Sequence, residues 1–138
     1  GLGPEGLTGV IDWAAAAAGF DTVILPCATG TTCAGFLAAT SLPTRVYGIA
    51  VLRNFSAVHA ALATLVPAQK SRFTLLEDYA AGKFGRAELP DAELSEFARV
   101  NHLVADAIYT LRTLRALRDY ARSGKIRGKV LLVYTYNE

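Results

Sequence analysis

Methionine is missing from this sequence altogether, position 1 included, and tryptophan occurs only once. A chain without a starting methionine is expected to be a processed product or a piece of a longer one. Cysteine occurs only twice, at Cys27 and Cys33, too few for a disulfide framework. Their C-x5-C spacing matches no zinc pattern. They read as buried free thiols in a reducing, cytoplasmic compartment. Charge of one sign is also scarce: the net charge is +2, which argues against nucleic acid or an anionic membrane as a partner. Long apolar runs are lacking as well. The alanine-rich stretch 13–20 is too short and too weakly apolar to span a bilayer. No basic segment precedes it, as a signal peptide would require.

What is present is a well-filled interior. Hydrophobic residues make up 52% of the 138 positions and charged residues 19%, the balance of one globular domain rather than a disordered chain. Helical and strand signals alternate along it. Gly3-Pro4-Glu5 opens a helix that places Leu7, Val10, Ile11, Ala14 and Ala18 on one face, with Gly19 as its C-terminal cap. Residues 22–25 form a β-branched apolar strand that Pro26 closes. A small-residue helix begins near Thr32, and Leu42-Pro43 breaks it. Residues 46–51 read as a second strand. Ser56 caps a helix carrying Val58, Leu62 and Leu65, ended by Pro67. Residues 73–76 are a third strand, and the polar stretch 77–90 is a loop. Asp91 caps a helix with Leu94, Phe97 and Ala98 inward. A further helix covers 110–123 with Leu111, Leu114, Leu117 and Ala121 on one side, ended by Gly124. Residues 129–134 are a fourth strand. Strands alternating with helices predict an α/β fold: three α/β/α layers, Rossmann-like, around a mostly parallel sheet of four strands.

Such sheets bind ligands at the carboxyl ends of their strands. Pro26-Cys27-Ala28-Thr29-Gly30-Thr31-Thr32 occupies one of those ends. Gly30 allows a turn with positive φ and leaves room for a ligand. Backbone N–H groups at the start of the next helix favour an anion there. Thr29, Thr31 and Thr32 add hydroxyl donors. The G-x-G-x-x-G spacing of a dinucleotide loop is absent, as is the G-K-[ST] step of a nucleoside-triphosphate loop. The loop by itself leaves two readings open, an anion site and an ordinary strand-to-helix turn.

Its neighbours carry a resemblance. Ala28-Thr29-Gly30-Thr31-Thr32-Cys33-Ala34-Gly35 is similar to the phosphate cup of fold-type II pyridoxal-phosphate enzymes. The likeness is to the family of 1-aminocyclopropane-1-carboxylate deaminases and D-cysteine desulfhydrases. Leu2-Gly3-Pro4-Glu5-Gly6 resembles the residues after that family's E-G-G loop, and Tyr47-Gly48-Ile49-Ala50-Val51-Leu52 its next strand. Glu77-Asp78-Tyr79 with Gly82 and Phe84 resembles D-Y-x-x-G-x-Y, and Asp106-Ala107-Ile108-Tyr109-Thr110 resembles D-P-V-Y-T. Residues 130–135 resemble the late strand that ends in H-T-G-G.

The resemblance implies deamination or β-elimination of an amino-acid substrate with pyridoxal 5'-phosphate as cofactor. Ala28, Thr29, Gly30, Thr31 and Thr32 would hold the cofactor phosphate. Tyr109 would be the catalytic tyrosine, moving a proton near the substrate. Thr110 would approach the pyridine nitrogen, and Thr135 the edge of the ring. It also implies a homodimer. The lysine to which the family attaches its cofactor lies well before the phosphate loop. None of Lys70, Lys83, Lys125 and Lys129 sits in the matching context. The expectation is therefore a partial chain, completed by an amino-terminal segment or a partner chain that supplies the lysine. Further departures are Phe84 at the second tyrosine, Leu111 and Arg112 after D-P-V-Y-T, and Tyr136 and Asn137 at the paired glycines. These keep two alternatives open: a non-catalytic binding or interaction domain, and a different Rossmann-like nucleotide binder.

Other polar residues read more plainly. His59 and His102 take surface or boundary roles. Arg112, Arg115, Arg118 and Arg122 form a stripe that reads as a solvated helix face, with Asp119 pairing with its neighbours. Glu77 and Asp78, just past a strand end, could meet a ligand.

Overall fold

The structure, a computed structural model, describes residues 7, 10–11, 14–80, 91–103 and 110–133. Among the described residues, four strands form one sheet: β1 (Thr22–Cys27), β2 (Arg45–Ala50), β3 (Phe73–Leu76) and β4 (Val130–Leu132). All pairings are parallel, in the order β3-β2-β1-β4. Among the described residues, four α-helices follow β1 along the chain: α1 (Thr31–Ala39), α2 (Phe55–Leu65), α3 (Ala92–Val100) and α4 (Thr110–Arg122). The expected three-layer α/β architecture is present.

The strand sequences explain the layers. Side chains alternate across a strand, and β1 divides accordingly. Val23, Leu25 and Cys27 join a core with Phe36 and Leu37 of α1 and Val58 and Leu62 of α2. Ile24 faces the other way, toward Ile49, Leu76, and Ala116 of α4. Both faces of β1 are fully covered, so it reads as a continuous apolar run rather than an alternating one. α3 lies outside α4, joined through Leu94, Ala98 and Leu114.

Several boundaries differ from the sequence reading, each for a local reason. Pro26 does not close β1, because pairing with β2 runs on to Cys27↔Ala50. The Ile24 carbonyl accepts from Val133 N–H, so Pro26, two residues on, faces the same β4 side. Among the described residues the β4 ladder runs to Ile24↔Leu132, and the N–H that proline lacks interrupts none of those rungs. The first helix tightens into a 3-10 turn at Ala15–Ala17. Three residues per turn replace Ala18 by Ala17 beneath Ala14 on the buried side. Ser56 is exposed inside α2 rather than capping it; the N-cap is Asn54. Phe97 is 47% exposed, and Ala121 is exposed too. In α4 the buried set is instead Thr110, Arg112, Thr113, Leu114 and Ala116, because α3 and the sheet approach that helix from two sides.

The arginine stripe is a solvated face only in part: Arg122 is exposed, but Arg112 is buried and Arg118 largely covered. Arg118 meets Asp91 at 2.8 Å and Glu93 at 3.5 Å, and Arg122 meets Glu93 at 2.9 Å. These pairs tie α4 to the start of α3. Asp91 caps α3 as expected, accepting from Leu94 N–H at 3.1 Å. The Arg118 guanidinium, and then that N–H, hold the Asp91 carboxyl below the usual carboxylate range. A depressed carboxylate pKa contributes stability above the unfolded value and loses it as pH falls through the folded one. Replacing Asp91 with alanine should therefore lower the melting temperature at neutral pH. The gap from wild type should close below about pH 4. Thermal melts of both proteins across that range check it. His102 ends α3 with φ 58. Its N–H donates to Arg99 and that of Leu103 to Ala98, a helix-ending motif with Leu103 folded back onto the α3–α4 core.

Candidate functional site

The strand order makes β1 the point where the chain changes direction. From β1 it winds outward through β2 to β3, then returns to place β4 on the opposite flank. The crevice above such a strand is where open parallel sheets take ligands. The predicted loop lies there, between Cys27 at the end of β1 and Thr31 at the start of α1.

Gly30 is the N-cap of α1, with φ 98 and ψ −11. A side chain there would be strained whatever the space around it. Its carbonyl accepts from Ala34 N–H at 2.9 Å. The first amides of α1 have no acceptor within the helix, and α1 carries no acidic residue in its first turn. An anion would meet the positive end of the dipole without competition from a carboxylate in that turn. The threonines divide: Thr31 is buried, Thr32 half-buried and Thr29 exposed. The Thr29 hydroxyl donates to that of Thr31 over a long 3.4 Å. Thr29 and Thr32 are thus the hydroxyls that can reach a ligand.

The loop is braced from the start of α2, a contact with no signal in the local sequence. Asn54 Nδ2 donates to the Ala28 carbonyl at 2.7 Å. A Cβ on Gly30 would lie 3.4 Å from Val58 Cγ1. An asparagine before an apolar helical run signals a cap, and nothing in its spacing reveals a partner 26 residues away.

Both cysteines are free and buried, as expected. The Cys33 thiol and the Gly30 N–H, bonding to the Cys27 sulfur, hold the Cys27 pKa below its ordinary value. Cys33 is pushed well up, first by Cys27 and then by burial.

Thr110 is buried at the first turn of α4. A crossover helix runs back along a parallel sheet, so its amino end sits at the strands' carboxyl edge. A hydrogen bond from Arg112 to the carbonyl of Tyr79, just past β3, places α4 that way. Thr110 and the Ala28–Gly30 loop therefore share one edge of the sheet. Tyr109 and Thr135 lie outside the described residues, as does Phe84. Glu77 and Asp78 are exposed in a single turn after β3. Asp119 finds Tyr79 rather than an arginine as its close partner, accepting from the phenol at 2.7 Å against 3.9 Å to Arg118. Burial, and then this carboxylate, push the Tyr79 pKa up. His59 sits edge-on to Phe73.

Among the described residues no cluster of three or more His, Cys, Asp or Glu could hold a metal ion. No described helix is long and apolar enough to cross a membrane. No family model matches the chain, and no curated protein matches it.

Proposed function

We propose that this chain is the cofactor-phosphate-binding part of a fold-type II pyridoxal-phosphate enzyme acting on a small amino acid. By resemblance the reaction class is deamination or β-elimination, as in 1-aminocyclopropane-1-carboxylate deaminases and D-cysteine desulfhydrases. The observation that carries the reading is the position of Ala28–Gly30 at the sheet's switch point, opening onto the first turn of α1. The donor set fits a phosphate monoester: helix-start amides with the Thr29 and Thr32 hydroxyls, and no carboxylate in that turn.

In this reading Ala28, Thr29, Gly30, Thr31 and Thr32 hold the phosphate. Thr110, on the same sheet edge, offers a neutral hydroxyl toward the pyridine nitrogen. Tyr109 holds and moves a proton near the substrate, and Thr135 borders the ring. When bound, the cofactor supplies an electron sink for the substrate's α-carbon. The attaching lysine comes from an amino-terminal segment or a partner chain, in a cytoplasmic homodimer.

The substitutions at Phe84, Leu111 and Arg112 favour a second reading, in which the fold keeps its anion site without the chemistry. Arg112 is buried, and its guanidinium bonds a backbone carbonyl; such a residue serves the fold first.

Calorimetric titration with pyridoxal phosphate, and separately with inorganic phosphate, tests what the two readings share. Saturable binding of the cofactor, competed by phosphate, is expected. Absence of heat with both would end both readings. Tight binding of a dinucleotide with none of pyridoxal phosphate would favour a nucleotide binder instead.

A further inference from the structure

The side chain of Asn54 is in an unexpected place. It occupies the N-cap of α2, where an asparagine ordinarily accepts from an amide two or three residues on. Here no side-chain cap is made, and α2 has no acidic residue in its first turn to substitute. The backbone of Asn54 still does its part, its carbonyl accepting from Val58 N–H at 3.1 Å. The side chain instead crosses to the loop after β1 and donates to the Ala28 carbonyl at 2.7 Å. A carbonyl acceptor requires the NH2 end of the amide, which fixes the flip of Asn54.

This contact has a definite consequence. The Ala28–Thr29 peptide bond is trans. In a trans peptide the C=O and the following N–H point in opposite directions. Holding the Ala28 carbonyl toward α2 therefore turns the Thr29 N–H away from it, to the opposite side of the loop. Without a donor at position 54, rotation about the bonds flanking that peptide can reverse it. Gly30 bounds the segment at its other end with its positive φ, and α2 lies near enough that a Cβ there would sit 3.4 Å from Val58 Cγ1. The start of α2 thus ties the loop at Ala28 and leaves little room beside Gly30.

We infer that Asn54 is a positioning residue for anion binding: it gives up its helix-capping role to fix the Ala28–Thr29 peptide so that the Thr29 N–H donates to the ligand. The inference rests on the anion-site reading of the loop.

Asn54→Ser separates the two roles. Serine caps a helix about as well as asparagine, adds no charge, and is too short to reach Ala28. The variant should melt no lower than wild type yet bind inorganic phosphate and pyridoxal phosphate about tenfold more weakly or worse, a loss of about 1.4 kcal/mol. In 15N-resolved spectra the Thr29 amide should shift on phosphate addition in wild type and stay still in the variant. Asn54→Gln, which keeps an amide donor, should recover part of the affinity. Wild-type affinity in Asn54→Ser, or an affinity loss matched by a fall in melting temperature, would overturn the inference alone. If wild type itself binds neither probe, the anion-site reading fails and the inference with it.

Discussion

Replacing Arg72 with methionine is expected to destabilise the protein by about 3 kcal/mol or more, the cost of stranding several buried acceptors at once. Arg72 is 6% exposed. Its guanidinium donates to the carbonyls of Leu37 at 2.7 Å, Thr40 at 3.0 Å and Thr44 at 2.9 Å, and to the Thr40 hydroxyl at 3.1 Å. Leu37 and Thr40 lie at the carboxyl end of α1, which has no basic residue of its own in its last turn. The arginine therefore satisfies acceptors that every helix end leaves open, and it places positive charge at the negative end of the dipole. It also fastens that end to Thr44, one residue before β2. Burial lowers its pKa, but a guanidinium stays charged throughout the working range. Methionine matches much of its apolar length and none of its donors. Lysine should recover only part of the loss, since one ammonium cannot span the fork. Urea denaturation followed by circular dichroism gives the comparison. A midpoint shift at constant m-value worth less than about 1 kcal/mol would refute this account of Arg72.

The second large effect concerns Gly30. Gly30→Val should cost about 1–3 kcal/mol of stability, because a β-branched residue is forced to a positive φ. It should also weaken phosphate binding at least tenfold. Two causes act together. At φ 98 an L side chain is strained, and its Cβ would sit 3.4 Å from Val58 Cγ1, so the extra methyls of valine have to displace either α2 or the loop. Asparagine, which tolerates left-handed backbone better than other side chains, should be the mildest substitution and alanine intermediate. Melting curves and phosphate titrations of the three variants would show the order. If valine bound phosphate like wild type, the loop would not be the anion site.

Much of this molecule is legible along the chain, for a physical reason. Short apolar runs, helix caps and breaker residues act within a few neighbours. That is why β3 falls at Phe73–Leu76 as read, Asp91 caps α3, and Gly124 with φ 77 ends α4. Alternation of strands and helices dictates a parallel sheet because only a crossover helix can return the chain to the same edge. The loop at the end of β1 follows from the same logic, with Gly30 adopting the positive φ that its residue type permits.

What the sequence could not decide is where long side chains go once the layers meet. Arg112 and Arg118 look like a charged stripe until α3 and the sheet close over them, and burial then makes each find a particular acceptor. Arg72 gives no local sign that it will cap a helix 35 residues earlier. Asn54 shows the same limit at the candidate site, since its capping signal was local and its actual partner was not. Local sequence by itself determined the elements, the sheet and the loop. Tertiary contact alone decided which buried polar groups are satisfied by which distant residues, because that depends on distances set only when the elements pack.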